Sequence, residues 1–339
     1  MFTSGWRDFS VATIKDVAER AGVTVTTVSR MLNGRVPVSE KTTKRIHQAM
    51  DELGYHPNEA ARALAKKSTN VIGLIVPSAE NFFFSSVIHS VERHACRHDC
   101  KVLLCVSNLD TEKEIDYFNM LTSNKVMGII LASHTQNLEK EIDLINFDSP
   151  LISIDRVLSY TIPSACADNY RGGYIGAQHL IERGCQRLVY VGSNTGFNMD
   201  ANKRHLGMKD ACRDHGLELL GAIDVVEEQF IHMDYHESVE KAFELYPDLD
   251  GILTSNDVIA AAAVRYCHQM NISVPEQVKI VGYDDSTLAS HCVPQLTTVF
   301  QPVDDICAYA VHCIVKAASG EVIPTAATFP VSLVQRETT

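Results

Sequence analysis

Hydrophobic positions follow two different rhythms along this chain, and the rhythm changes near residue 70. Before that point apolar residues recur at helical spacing. Ile14, Val17, Ala18 and Ala21 form an i, i+3, i+4, i+7 face. The run opens on Thr13-Ile14-Lys15-Asp16, a Ser/Thr-x-x-Asp/Glu pattern in which both ends of the first turn cap each other. It stops at Gly22, where a tight turn favours a residue without Cβ. Thr24 can cap a second helix. On that helix Val28 and Leu32 point inward, while Val25, Thr26, Ser29 and Arg30 share the outward face. A third helix is expected from Ser39, burying Ile46, Met50 and Leu53 and ending at Gly54. Two short helices across a glycine turn predict a helix-turn-helix, whose second helix enters the major groove of DNA. Pro57 breaks the pattern and Asn58 can cap a last segment running to Lys67. That segment is short and alanine-rich, so as an isolated helix it is marginal in water.

From residue 71 the pattern becomes short apolar runs separated by helix-length stretches. The runs are Val71–Pro77, Val102–Ser107, Gly128–Ala132, Leu151–Asp155, Leu188–Gly192, Gly251–Thr254 and Val278–Gly282. Helices are expected near 84–98, 112–123, 170–183, 202–215, 235–246 and 257–270. Such alternation predicts parallel sheets covered by helices on both faces, with ligands held at the carboxyl ends of the strands. No G-x-G-x-x-G or phosphate loop follows any run, so no nucleotide cofactor is expected. There is no G-x-S-x-G, and no cysteine stands in a nucleophile context, so no catalytic residue is assigned and an enzyme is not expected. His94, Cys96, His98 and Cys100 put two histidines at i, i+4. Their spacing fits no standard zinc pattern, and no metal is expected.

Charge divides at the same place as rhythm. Residues 1–67 hold 11 Lys/Arg against 7 Asp/Glu, a net of +4, whereas the remainder holds 19 against 35, a net of −16. A basic head on an acidic body suits a DNA binder whose body repels phosphate. No run of apolar residues is long enough for a membrane span, and the first twelve residues lack the apolar centre of a signal peptide. Ten scattered cysteines in a chain of this size then suggest reduced thiols and a cytoplasmic protein.

At this point a resemblance enters. Val17-Ala18 with Ala21-Gly22-Val23, Thr27-Val28-Ser29-Arg30, Leu32-Asn33, Val38-Ser39, Leu53-Gly54-Tyr55, Pro57-Asn58 and Ala61-Arg62-x-Leu64 resemble the LacI/GalR family of bacterial transcription regulators. Residues 1–10 precede the matching run, and Val11 is a candidate for the native first residue. The resemblance implies an N-terminal all-α helix-turn-helix headpiece at 12–57 and a hinge helix at 58–68. It implies an α/β body at 69–339 of two parallel-sheet lobes, like periplasmic sugar-binding proteins. The N-lobe would span about 70–168 and 301–330, and the C-lobe about 169–299 and 331–339. The chain would cross between them near 168–171, 298–302 and 329–331. The implied protein is a homodimeric repressor of a carbohydrate-utilisation operon that binds double-stranded operator DNA and is controlled by a small sugar between the lobes. No apolar heptads occupy the last residues, so no tetramer-forming coiled coil is expected. Two alternatives stay open: the same DNA role with a purine or phosphoprotein corepressor, and a sugar-binding protein without a regulatory role.

In that frame Val25 and Thr26 are expected at base edges and Arg30 at a base, guanine by geometry. Thr24, Thr27, Ser29 and Asn33 are expected at phosphates or as helix caps. Leu64 would wedge into a minor-groove step, with Ala61 allowing close approach. The ligand candidates are Asp168, Arg204, Asn256 and Asp284, all near expected strand ends. Carboxylates accept from sugar hydroxyls, arginine donates in a planar fork and asparagine does both. Phe83, Phe84 and Phe230 are candidates for the flat apolar faces of a sugar ring. Asp168 and Asp284 have the alternative of capping helices or turns, and Asp257, beside Asn256, is more often a helix cap. Phe82 stands where the family usually has proline, which puts the local loop shape in question.

Overall fold

The computed structural model describes residues 12–33, 38–55, 69–132, 149–158, 161–192 and 202–339. The chain divides into two compact units, Met1–Thr69 and Asn70–Thr339. The expected hinge at 58–68, with Ala61 and Leu64, lies outside the described residues.

Among the described residues the first unit holds three helices, α1 (Ile14–Ala21), α2 (Val25–Asn33) and α3 (Glu40–Leu53). Helix α1 starts with a reciprocal capping box: the Thr13 N–H donates to Asp16 Oδ2 at 2.7 Å, and the Asp16 N–H to Thr13 Oγ1 at 3.4 Å. Thr24 Oγ1 accepts from the Thr27 N–H at 3.2 Å and caps α2. Val17, Ala18, Ala21, Val28, Ile46 and Ala49 close the core. Leu53 was expected inside but is 36% exposed. Ala49, one turn earlier, takes the inward position, and Met50 lies at the core's edge. The turn between α1 and α2 is fixed twice. Gly22 has φ +63°, and Arg45 from α3 donates to the carbonyls of Ala21 and Gly22. A Cβ on Gly22 would sit 2.7 Å from Arg45 Nη2.

The second unit contains two six-stranded sheets. The first orders its strands β11-β5-β4-β3-β1-β2 and the second β12-β10-β9-β8-β6-β7. In chain order the first sheet takes β1 (Val71–Val76), β2 (Lys101–Val106), β3 (Gly128–Leu131), β4 (Leu151–Ile154), β5 (Ser164–Ala167) and β11 (Ala326–Phe329). The second takes β6 (Leu188–Val191), β7 (Gly221–Ile223), β8 (Gly251–Thr254), β9 (Lys279–Asp284), β10 (Thr297–Phe300) and β12 (Ser332–Val334). All neighbours run parallel except β10 and β12. The sheets thus repeat one topology, with β1/β3 and β6/β8 as equivalent switch points and β4 equivalent to β9. The chain passes between sheets at Asp168, at Gln301-Pro302 and at Pro330-Val331.

Strand alternation sends Ile72, Leu74 and Val76 to one face of the first sheet and Ile75 to the other. The first face is covered by α4 (Phe82–Arg97) and α12 (Val303–Ala318), the second by α5 (Thr111–Ser123). The second sheet is covered by α6 (Asn169–Glu182) and α7 (Asn202–Asp214) on one face. On its other face lie α9 (His236–Leu245) and α10 (Asp257–Gln269). Two short helices are also described, α8 (Glu227–His232) and α11 (Thr287–His291). The hydrophobic pattern did not announce α12. Its buried residues Ile306, Cys307, Ala310, Val311, Cys313 and Ile314 nonetheless share one helical face. Phe82 is the first residue of α4, a position where proline is common, but Asn81 caps the helix without one. No helix among the described residues is long and apolar enough to cross a membrane.

Gly22→Ala places a Cβ in the left-handed region and against Arg45. It should destabilise the headpiece by about 1–2 kcal/mol. Amide hydrogen exchange across α1 to α3 in the full chain should accelerate accordingly, while exchange in the sheets stays unchanged.

Candidate functional site

The carboxyl ends of both sheets open onto one cleft. Each wall residue is delivered by the segment after a strand. Asn81, Phe83 and Phe84 follow β1, Asp155 follows β4, and Arg204 lies beyond β6. Phe230 follows β7, Ser255 and Asn256 follow β8, Asp284 ends β9, and Gln301 follows β10.

Arg204 is the most constrained of them, with 5% exposure. Its Nε donates to Asn169 Oδ1 at 2.7 Å, and its Nη1 donates to the Ser255 carbonyl. Its guanidinium lies 3.7 Å from the centroid of the Tyr283 ring, and Nη1 is 4.0 Å from Asp284 Oδ1. Glycines allow this placement. A Cβ on Gly173 would fall 1.9 Å from the Arg204 carbonyl oxygen, and one on Gly207 would fall 2.0 Å from that of Tyr170. Helices α6 and α7 therefore touch backbone to backbone, and the contact brings Arg204 over Tyr283.

Two aspartates occupy equivalent strand ends. Asp155 follows β4 with φ +63°, and Asp284 ends β9 with φ +109°. Left-handed backbone at non-glycine residues costs energy and gathers at functional sites. Burial raises the Asp284 carboxyl well above the usual range; Arg204 opposes this, Asp257 adds to it, and Gln301 opposes it. Gln301 Nε2 donates to Asp284 Oδ1 at 2.7 Å. Its Oε1 is buried with no partner among the described residues. Asn81 and Asn256 cap α4 and α10: their Oδ1 atoms accept from the N–H groups of Phe83 at 3.0 Å and Ile259 at 2.9 Å.

The aromatic wall spans both lobes. Phe83 and Phe84 meet edge to face at 5.1 Å, and Phe230 from α8 reaches Phe84 at 6.2 Å. Of the expected ligand residues, Phe83, Phe84, Arg204, Phe230, Asn256 and Asp284 converge on the cleft. Asp168 does not line it. It caps α6, accepting from the Arg171 N–H at 2.9 Å, and its own N–H pairs with the Phe329 carbonyl at 2.9 Å. Asp257 is not a helix cap either. Its buried carboxylate accepts from the Ser286 N–H and hydroxyl at 2.7 and 2.8 Å and from the Thr298 hydroxyl at 2.6 Å. Sequence reasoning missed Asn81, Asp155, Tyr235, Ser255 and Gln301, which also line the cleft. A signal for Asp155 existed: Ile152-Ser153-Ile154-Asp155 mirrors Val281-Gly282-Tyr283-Asp284.

On the headpiece, Val25, Thr26 and Arg30 are exposed and Ser29 half-buried, opposite the fully buried Val28. Thr24 and Thr27 hydrogen-bond each other at 2.9 Å. The side chain of Asn33 lies outside the described residues.

Gly173→Ala should cost about 1–3 kcal/mol of body stability, because backbone has to move to admit the Cβ. Urea unfolding of the full chain reads this as a lower midpoint. Burial pushes the Asp257 carboxyl up to about 6 from its ordinary 3.8, against the pull of Thr298 and Ser286. The folded protein thus keeps a proton that the unfolded chain releases, so this group makes stability fall as pH rises from about 4 to 6. Asp257→Asn should flatten that slope in melting curves taken across the window.

Residues 13–58 match the family model of bacterial regulatory proteins, lacI family, and residues 177–339 match that of a periplasmic binding protein-like domain. The chain is 34% identical to the sucrose operon repressor of Streptococcus mutans, over 96% of this chain and 99% of that one. It is also 34% identical to the ribose operon repressor of Halalkalibacterium halodurans, over 97% of each. A solved periplasmic binding protein/LacI transcriptional regulator from Alkaliphilus metalliredigens, complexed with D-xylulofuranose, matches with a TM-score of 0.70. That match is at 29% identity and covers 80% of this chain and 99% of the other. The chain therefore belongs to the lacI family of bacterial regulatory proteins, which regulate transcription and are not enzymes.

Proposed function

We propose that this protein is a repressor of a carbohydrate-utilisation operon whose grip on operator DNA is set by a small sugar bound between its lobes. One observation carries the reading. The cleft combines a hydrogen-bonding wall of Arg204, Asn256, Asp284 and Gln301 with an aromatic wall of Phe83, Phe84 and Phe230. Directional hydrogen bonding opposite flat apolar rings is what a sugar requires. The repressor names of the sucrose and ribose relatives support the same role.

Residues 12–57 act as the DNA-binding headpiece, 58–68 as the hinge and 69–339 as the effector-binding and dimerisation body. Val25, Thr26 and Arg30 read base edges from the outward face of α2. Thr24 and Thr27 fix the start of that helix, and Ser29 and Asn33 lie nearer the phosphates. Leu64, with Ala61 beside it, wedges the minor groove of a pseudo-palindromic operator bound by a homodimer. Ligand and DNA are then linked by a coupling of about 1–3 kcal/mol, a five- to 150-fold change in operator affinity.

Fluorescence anisotropy with operator DNA, with and without sugar, tests both halves. Arg30→Ala should weaken specific binding by about 1–3 kcal/mol, with the sugar response kept. Asp284→Asn should leave DNA binding near wild type and remove the sugar response. Equal loss of specific and nonspecific binding in Arg30→Ala would refute the base-reading role. A normal sugar response in Asp284→Asn would refute the cleft as the effector site.

A further inference from the structure

We propose that the cleft takes an uncharged polyol and rejects its phosphate esters, and that Asn81 and Asn256 are the groups that close it to anions. This inference rests on the sugar reading above and narrows it to one ligand class. A bound phosphate needs a free cation or the open N–H groups of a helix N-terminus. Among the described lining residues Arg204 is the single cation; Asp284 and Asp155 act on its charge, and Glu227 also lines the cleft. It already donates to Asn169 and to the Ser255 carbonyl.

Two helices, α4 and α10, begin at the cleft. Each has an N–H of its first turn taken by an asparagine oxygen, Phe83 by Asn81 and Ile259 by Asn256. The acceptor side is the open one. Gln301 is 2% exposed and its Oε1 has no partner among the described residues. Together with Asp155 and Asp284 it offers acceptors to hydroxyl donors and repulsion to a dianion.

The test is isothermal titration of the full chain with D-ribose, D-fructose and sucrose, each beside its primary-alcohol phosphate ester. At least one parent sugar should bind, with its ester roughly a hundredfold weaker, the scale expected for a like-charge contact at the edge of a protein interior. Gln301→Leu should weaken the parent sugar by about tenfold, through loss of one buried acceptor. Asn81→Gly keeps a helix-start conformation while freeing the Phe83 N–H, and should narrow the gap between sugar and ester. An ester that binds as tightly as its parent overturns the inference and leaves the sugar reading standing. Binding by none of the six overturns both. An unchanged gap in Asn81→Gly removes Asn81 from the barrier.

Discussion

A guanidinium taken out of water must be paired on every side, because an unpaired buried charge costs several kcal/mol. Arg204 sets that condition for the second lobe. Its partners come from the start of α6, the end of β8 and the end of β9. Those three segments have to meet at one point, and the tolerance there is small. Gly172 leaves room for the Tyr283 hydroxyl, and Gly173 and Gly207 let two helices approach until their backbones touch. Any ligand entering the cleft therefore meets a cation whose position is fixed before it arrives.

The repeated topology explains why the site is a cleft with two unlike walls. Equivalent strands deliver equivalent groups, so β4 and β9 each present an aspartate on left-handed backbone. The segments that follow the switch points then diverge. After β1 the chain turns at once into α4 and presents Phe83 and Phe84. Beyond β6 it presents Arg204. The first lobe supplies Phe83 and Phe84 beside Asn81 and Asp155, and the second supplies most of the other hydrogen-bonding groups. Phe230 links them, since it is carried by the second lobe yet packs on the core of the first.

The headpiece was legible almost residue by residue, because caps and turns are local chemistry. Thr13 with Asp16, Ser39 and Gly54 act as their types predict. Leu53 was misread because inside and outside are close together at a helix's last turn, where a small drift in angle changes the face. In the body the strands that read as apolar runs were found, and α12 was not, although its buried residues share one helical face. The cleft divided along the same line. Arg204, Asn256 and Asp284 sit beside recognisable strand ends. Gln301 matters because it lies where the chain changes lobes and touches Asp284, a relation between positions seventeen apart that no local pattern carries. Asp168 has the right residue type in the right place along the chain, but the needs of a helix N-terminus claim its side chain first.

The crossing segments also tie the cleft to the rest of the body. Gln301 holds Asp284 twice, through its side-chain amide at 2.7 Å and through its N–H on the Asp284 carbonyl at 3.4 Å, and it shortly precedes α12, which packs on the first sheet. Asp285, next along, pairs with Arg336 at 2.6 Å, beyond the last crossing and β12. The first and third crossings are joined to each other, because the Asp168 N–H donates to the Phe329 carbonyl at 2.9 Å. Backbone and side-chain bonds thus fix every crossing beside the residues that line the cleft, so the walls hold their places through the same segments that link the two sheets.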